Sequence, residues 1–267
     1  MNRMLFLHTL RANRVRLLVI SVAMALWGSM MPLIYSQFGV QFKQMMESGL
    51  IPKEVANFGG GDIFSLAGSI AVGFIHPIAL ILLSVFAVGF ATAAVAGERQ
   101  RGTLEVLLAR PLSRRTVYVT LLVAMLLFIG IVMAAFLAGT VISATANGVG
   151  GELVASRIPL LWLNGLLLFA AIGTIGLAAS VSFDRLSPAI GLTIAIVIVS
   201  YFLDILGSLW PDAKGLQPYS LFHYLQPKAV LSGDVDTVNF VLLGGVAAVA
   251  IVAALVIFPR RDLAAPS

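Results

Sequence analysis

The sequence predicts an all-α integral membrane protein with six transmembrane helices and both termini in the cytoplasm. Only 11% of the 267 residues are charged, 60% are hydrophobic, and the mean hydropathy is +1.01. Soluble domains carry about 25% charged residues, so water cannot be the solvent for most of this chain. Helix-length apolar runs and an uneven distribution of basic residues support the same class. This composition excludes a soluble enzyme, a nucleic-acid-binding domain and a disordered chain.

Six apolar runs are long enough to cross ~30 Å of hydrocarbon, which takes about 20 helical residues. They occupy roughly 17–38, 64–97, 117–143, 158–183, 186–209 and 237–258. The second run is too long for one straight span, since at 1.5 Å per residue it would reach ~50 Å. Pro77 lies inside this run and removes a helix hydrogen bond. We therefore expect 64–76 to form an outer, kinked or partly interfacial piece, and the crossing proper to begin at Pro77.

The basic residues assign the orientation of the chain. With the N-terminus inside, the inner segments contain twelve arginines: Arg3, Arg11, Arg14, Arg16, Arg99, Arg101, Arg110, Arg114, Arg115, Arg185, Arg260 and Arg261. The outer segments contain five basic residues: Lys43, Lys53, Arg157, Lys214 and Lys228. The positive-inside rule thus predicts cytoplasmic termini, and residues 1–267 form a single transmembrane domain.

Two segments outside the spans contain apolar residues. In 1–16, apolar residues alternate with arginines, which predicts a short interfacial helix in the headgroup layer. A simple basic anchor would give the same pattern. The outer segment 210–236 is divided by three prolines and is partly apolar. It is predicted to re-enter the outer leaflet in part, before span 6, where protein can cover its backbone.

The inner loop 98–116 is the longest segment between spans on the cytoplasmic side. Residues 103–109 favour a helix that Pro111 ends, and Ser113 can cap the N-terminus of span 3. Leu104, Leu107 and Leu108 follow the i, i+3, i+4 spacing of one helix face. This apolar stripe could rest on the membrane, or it could bind in a groove of a soluble partner.

The run from Gly97 to Arg115, GERQRGTLEVLLARPLSRR, resembles the inner loop of type-2 ATP-binding-cassette (ABC) exporter permeases. The family pattern has an acidic residue, then Gly-Thr-Leu-Glu, paired leucines and Pro-x-Ser-Arg. The matching residues are Glu98, Gly102, Thr103, Leu104, Glu105, Leu107, Leu108, Pro111, Ser113 and Arg114. The lysine that often follows in the family is absent. The layout is also similar, with six spans, an N-terminal interfacial helix and a partly re-entrant segment before span 6.

The resemblance implies a permease subunit that forms the substrate pathway of an exporter. Its loop 98–116, with Arg99 and Arg101 beside the matched residues, would carry a cytoplasmic coupling helix. That helix would dock on a separate ATPase subunit, present in two copies. ATP and Mg²⁺ are expected on that partner, so the resemblance implies no catalytic residue and no bound cofactor in this chain. A second permease subunit, identical or different, is also implied. The expected location is a prokaryotic inner membrane, with lipid around the spans.

Only two polar residues near or within the apolar runs are candidates for the pathway, His76 and Asp204. Each also has a structural interpretation, as a hydrogen-bonded histidine and as a solvated helix end. The three histidines are scattered and no HExxH motif occurs, so no metal site is predicted. A secondary transporter and a membrane-embedded enzyme remain alternative classes.

Overall fold

The computed structural model describes residues 1–49, 65–104 and 112–261, and this part of the chain is helical and contains no strand. Span 1 lies within Arg3–Glu47, and the later single-helix spans are Arg114–Ala146 (span 3), Ile158–Ser182 (span 4), Leu186–Leu209 (span 5) and Thr237–Arg260 (span 6). Span 2 is composite and consists of Leu66–Ile75, Pro77–Ser84, the π-helical segments Val85–Phe90 and Ala93–Gly97, and the turn Glu98–Gln100. Within the described residues, five helices and one bent pair meet the requirements for crossing a membrane. The predicted all-α, six-span class is therefore confirmed.

Span 2 bends by 50° at His76, between Leu66–Ile75 and Pro77–Phe90. Pro77 has no N–H, so the carbonyl of Gly73 loses its normal helical partner. The indole Nε1 of Trp27 donates to that carbonyl instead, at 2.9 Å. The hydroxyl of Tyr201 donates to the neighbouring carbonyl of Ile75 at 3.3 Å. The predicted break at Pro77 is thus confirmed, and two other spans satisfy the backbone that it exposes.

The N-terminal residues do not form a separate helix over 1–16, which corrects the expected boundary. Residues 3–16 and span 1 form one continuous helix, Arg3–Glu47. No glycine or proline occurs between Arg3 and Trp27, so nothing in the backbone interrupts the helix where the composition changes. The backbone N–H of Asn2 donates to Thr120 Oγ1 at 2.9 Å, and apolar side chains of this stretch pack on the core. The N-terminal stretch is therefore fixed to the start of span 3.

Spans 1 and 3 approach each other closely because small residues line their crossing. A Cβ at Gly28 would lie 2.2 Å from the carbonyl oxygen of Phe136, and one at Gly139 would lie 2.0 Å from that of Ala25. Thr140 Oγ1 donates to the Gly28 carbonyl at 3.1 Å. Neither glycine can be replaced without separating the two helices.

The outer segment folds back along span 5 before span 6 begins. It contains the 3₁₀ helices Pro211–Tyr219 and Phe222–Tyr224 and the short helix Pro227–Ser232. The hydroxyl of Ser220 donates to the carbonyl of Ser200 at 2.6 Å. Ser200 precedes the end of span 5 by ~14 Å, at 1.5 Å per residue. The segment therefore returns well below the end of the helix, as a partly re-entrant segment requires.

Candidate functional site

The inner loop begins with a Schellman cap, which ends span 2 at a defined residue. Gly102 adopts φ +71°, a left-handed conformation that glycine adopts without a Cβ penalty. The N–H of Thr103 donates to the Glu98 carbonyl at 3.0 Å, and the N–H of Gly102 donates to the Arg99 carbonyl at 2.9 Å. These two bonds complete the 6→1 and 5→2 pattern of the motif. The Gly-Thr pair of the loop therefore sets the direction in which the chain leaves span 2.

Glu98 reinforces this cap with its side chain. One carboxylate oxygen accepts a hydrogen bond from the Thr103 hydroxyl, and the other forms an ion pair with Arg101. The Thr103 hydroxyl also contacts the Glu98 carbonyl at 3.1 Å. Glu98, Arg101 and Thr103 thus form one unit on the surface of the protein.

Leu104 is the one member of the predicted contact stripe that the structure describes, and its position corrects the expectation. Its side chain is only 2% exposed and belongs to the main hydrophobic core. A side chain buried in its own chain cannot form a contact surface for a partner. Glu105, Leu107, Leu108 and Pro111 lie outside the described residues, so the predicted coupling helix over 103–109 stays a prediction beyond Leu104.

The loop ends at a second fixed point, the start of span 3. Ser113 Oγ accepts from the N–H of Thr116 at 3.1 Å, which confirms the predicted N-cap. Arg114 Nη1 donates to the carbonyls of Arg261 at 2.6 Å and Phe258 at 3.2 Å, at the end of span 6. The carbonyls at a helix C-terminus attract a cation, so Arg114 joins spans 3 and 6.

An ion-pair cluster joins the beginning of the loop to the neighbouring spans. Asp184, in the turn between spans 4 and 5, pairs with both Arg99 and Arg261. The N–H of Leu186 donates to Gln100 Oε1 at 3.0 Å. The chain segments that were predicted to lie inside therefore meet at one end of the bundle. We call Arg99, Arg114, Asp184 and Arg261 the inner cluster. The sequence did not single out Asp184 or Arg261 as functional candidates, because their pairing depends on the fold.

Ser180 of span 4 interrupts the helical ladder of span 2 just before the loop. Its hydroxyl donates to the Thr92 carbonyl at 2.7 Å and accepts from the N–H groups of Val95 and Ala96, both at 3.0 Å. In a regular α-helix, the N–H of Ala96 would donate to the Thr92 carbonyl. The Ser180 hydroxyl thus bridges the Ala96 N–H and the Thr92 carbonyl in place of their direct hydrogen bond. It satisfies the backbone groups that the π-helical segment Ala93–Gly97 leaves without a helical partner. A serine in an apolar run gave no signal for this role.

Arg16 stabilises the other π-helical segment of span 2. Its Nη2 donates to the Val85 carbonyl at 2.8 Å, and its guanidinium lies 5.3 Å from the ring centroid of Phe86. A cavity of about 710 Å³ separates this N-terminal stretch from the loop, and Arg16, Glu98 and Arg101 help to line it. In the sequence, Arg16 indicates only the orientation of the chain.

The two predicted pathway candidates occupy different places. His76 lies at the bend of span 2, where its Nδ1 accepts from the N–H of Ile78 at 3.3 Å and its ring lies 4.7 Å from that of Trp27. This arrangement fits the structural interpretation of His76. Asp204 lines an outer cavity of about 450 Å³, together with His223 and Lys228 of the outer segment. His76 is not among the described residues that line that cavity.

Comparison with known proteins assigns most of the chain to one family. A family model described as "ABC-2 family transporter protein" matches residues 9–263. The match includes all six spans, the inner loop and the outer segment. A search of curated proteins found no match.

Proposed function

The chain belongs to the ABC-2 family of transporter proteins and is the permease component of an ABC transporter, and we propose that it exports a substrate with energy from a separate ATPase bound at loop 98–116. Membership in this family distinguishes the chain from the two alternative classes, a secondary transporter and a membrane-embedded enzyme. The transporter crosses the membrane several times.

The observation that carries the proposal is the attachment of the inner loop at both of its ends. The Schellman cap at Gly102 joins the loop to span 2, and the N-cap at Ser113 joins it to span 3. The inner cluster then connects these two points with span 6 and with the turn between spans 4 and 5. A displacement of the loop by a partner would therefore be transmitted to most of the spans.

The proposed roles of the loop residues follow from their positions. Glu98, Gly102 and Thr103 set the direction of the loop, Leu104 anchors it in the core, and Ser113 starts span 3. Arg99 and Arg114 transmit its displacement through the inner cluster. The exposed Arg101 is available to a partner. We assign the contact with the ATPase to Glu105, Leu107, Leu108 and Pro111 on the sequence pattern.

The proposed assembly contains two permease subunits and two ATPase subunits, which bind ATP and Mg²⁺. The two permease subunits are either identical or different. We propose that both termini and the inner loop face the cytoplasm of a prokaryotic cell. The distribution of twelve inner against five outer basic residues supports this orientation.

Co-purification of the ATPase tests the proposal. Leu107→Asp places a charge on the proposed contact face, and we expect it to abolish co-purification and substrate-stimulated ATP hydrolysis. Leu216→Asp is the matched control, because Leu216 is 41% exposed on the outer segment. The control should retain both properties. Equal co-purification by Leu107→Asp and the unmodified chain would exclude the loop as the ATPase contact.

A further inference from the structure

A second cavity, of about 450 Å³, lies at the opposite end of the bundle from the inner loop. Spans 2 and 5 and the outer segment line it, and one side is open. Apolar side chains form part of its wall, among them Ile75, Phe222 and Leu225. The volume lies within the ~300–1,000 Å³ range of small-molecule sites. The cavity is therefore large enough for a small polar molecule or a lipid headgroup.

Ionisable residues of both signs line this cavity. Asp204 and Asp234 carry carboxylates, and Lys228 and His223 supply an ammonium and an imidazole. His223 is near enough to Asp204 to interact with it electrostatically. Within residues 1–49, 65–104 and 112–261, none of these four side chains forms a hydrogen bond or an ion pair. Their hydrogen-bonding capacity is therefore free for a ligand, and complementary groups of that ligand would stabilise them.

The depth of the cavity narrows the class of ligand. Asp204 precedes the end of span 5 by ~8 Å, at 1.5 Å per residue. With the end of span 5 placed at the membrane surface, this depth is that of the boundary between the lipid headgroups and the hydrocarbon. A ligand at this level can place its charged groups on the four ionisable side chains and an apolar portion against Phe222 and Leu225.

We propose that this outer cavity binds a zwitterion that carries a primary ammonium and a phosphate, as in the ethanolamine phosphate group. The ammonium donates to the carboxylates of Asp204 and Asp234, and the phosphate binds Lys228 and His223. A quaternary ammonium has no N–H to donate, so a choline group binds more weakly. The proposal rests on the cavity and its charges and does not depend on ATPase coupling or on the direction of transport.

Binding to the purified full chain tests the proposal with two sources of the same chemistry. Soluble ethanolamine phosphate is titrated calorimetrically in detergent, and phosphatidylethanolamine is presented in phosphatidylcholine nanodiscs. We expect saturable binding and at least a tenfold weakening by Asp204→Asn and by Lys228→Gln. Asp212→Asn and Lys214→Gln are matched controls, since these exposed residues belong to the same outer segment but are absent from the cavity wall. The controls should bind as the unmodified chain does.

The outcomes distinguish the two ligand sources from each other. They also distinguish support for the proposal from its refutation. Binding of both probes supports recognition of the headgroup itself, and binding of the lipid alone or of the soluble compound alone supports the same site with one source. Lys228→Gln keeps the test decisive if Asp204→Asn does not fold, because Lys228 lies in the outer segment and its removal leaves span 5 unchanged. The proposal is overturned if neither probe saturates, if the controls weaken binding equally, or if phosphatidylglycerol binds as well as phosphatidylethanolamine.

Discussion

Replacement of Ser180 by alanine tests whether the π-helical end of span 2 sets the position of the inner loop. The Ser180 hydroxyl makes three hydrogen bonds of 2.7–3.0 Å to the backbone of Thr92, Val95 and Ala96. Hydrogen bonds of this kind contribute about 0.6–1.5 kcal/mol each, so the loss of three costs about 2–4.5 kcal/mol if the backbone keeps its shape. If the π-helical segment instead returns to a regular α-helix, a change that we call closure, the Ala96 N–H recovers its hydrogen bond to the Thr92 carbonyl. Closure shifts the register by one residue, which turns the following residues by ~100° and moves them by ~1.5 Å.

We expect closure, because it recovers a backbone hydrogen bond and leaves fewer unsatisfied groups in the apolar interior. The chain contains no cysteine, so two spin labels can be attached at Arg101→Cys and Arg185→Cys without removing a native thiol. The labelled chain with Ser180 intact is the reference, because Arg101→Cys itself removes the ion pair with Glu98. In Ser180→Ala, the distance between the labels should change by several ångströms, since the side chain at position 101 rotates with the loop. Substrate-stimulated ATP hydrolysis by the complex should also fall when Ser180→Ala is made in the unlabelled chain, which retains Arg101.

Ser182→Ala is the matched control for this experiment. The Ser182 hydroxyl donates to the Ala178 carbonyl of its own helix at 2.7 Å, so its removal leaves span 2 untouched. The control should preserve both the label distance and ATP hydrolysis. An unchanged distance and unchanged hydrolysis in Ser180→Ala would refute the role of this hydroxyl.

Two other substitutions test the cap and the helix crossing. Gly102→Ala forces a Cβ into the left-handed region at φ +71°, which costs about 1–2 kcal/mol and should uncouple ATP hydrolysis from substrate. Gly151→Ala is the control, because Gly151 has no positive φ and a Cβ there would meet open space. It should have no effect in the same ATPase assay. Gly139→Ala places its Cβ 2.0 Å from the Ala25 carbonyl oxygen, so the melting temperature of the purified chain should drop by several degrees, as expected for overpacking of about 1–3 kcal/mol. Gly244→Ala, with open space around its Cβ, should melt like the unmodified chain, and equal melting of both variants would contradict the close crossing.

The spans were predictable because membrane insertion imposes strong constraints on composition and length. Span 5 was expected at 186–209 and forms Leu186–Leu209. The break at Pro77 and the cap at Ser113 followed from the chemistry of single residues, a missing N–H and a side-chain acceptor. These features are local, so one sequence is sufficient to find them.

Features that depend on packing between spans could not be inferred from the sequence. The helical spacing placed Leu104 on the same face as Leu107, but spacing does not indicate whether a face is covered by its own chain. Ser180 and Asp184 acquire their partners only when spans 2, 4 and 6 meet. The expected boundary at residue 16 marked a change in composition, and a helix ends at such a change only when the backbone requires it.

The contact between the inner loop and the ATPase is tested most directly by photocrosslinking in the assembled complex. A photoreactive phenylalanine analogue at Leu107 should crosslink to the ATPase subunit in membranes, and the same analogue at Leu216 on the outer segment should not. Crosslinking that depends on position 107 would establish the loop as the docking element. Failure to crosslink from position 107, or equal crosslinking from position 216, would contradict the account.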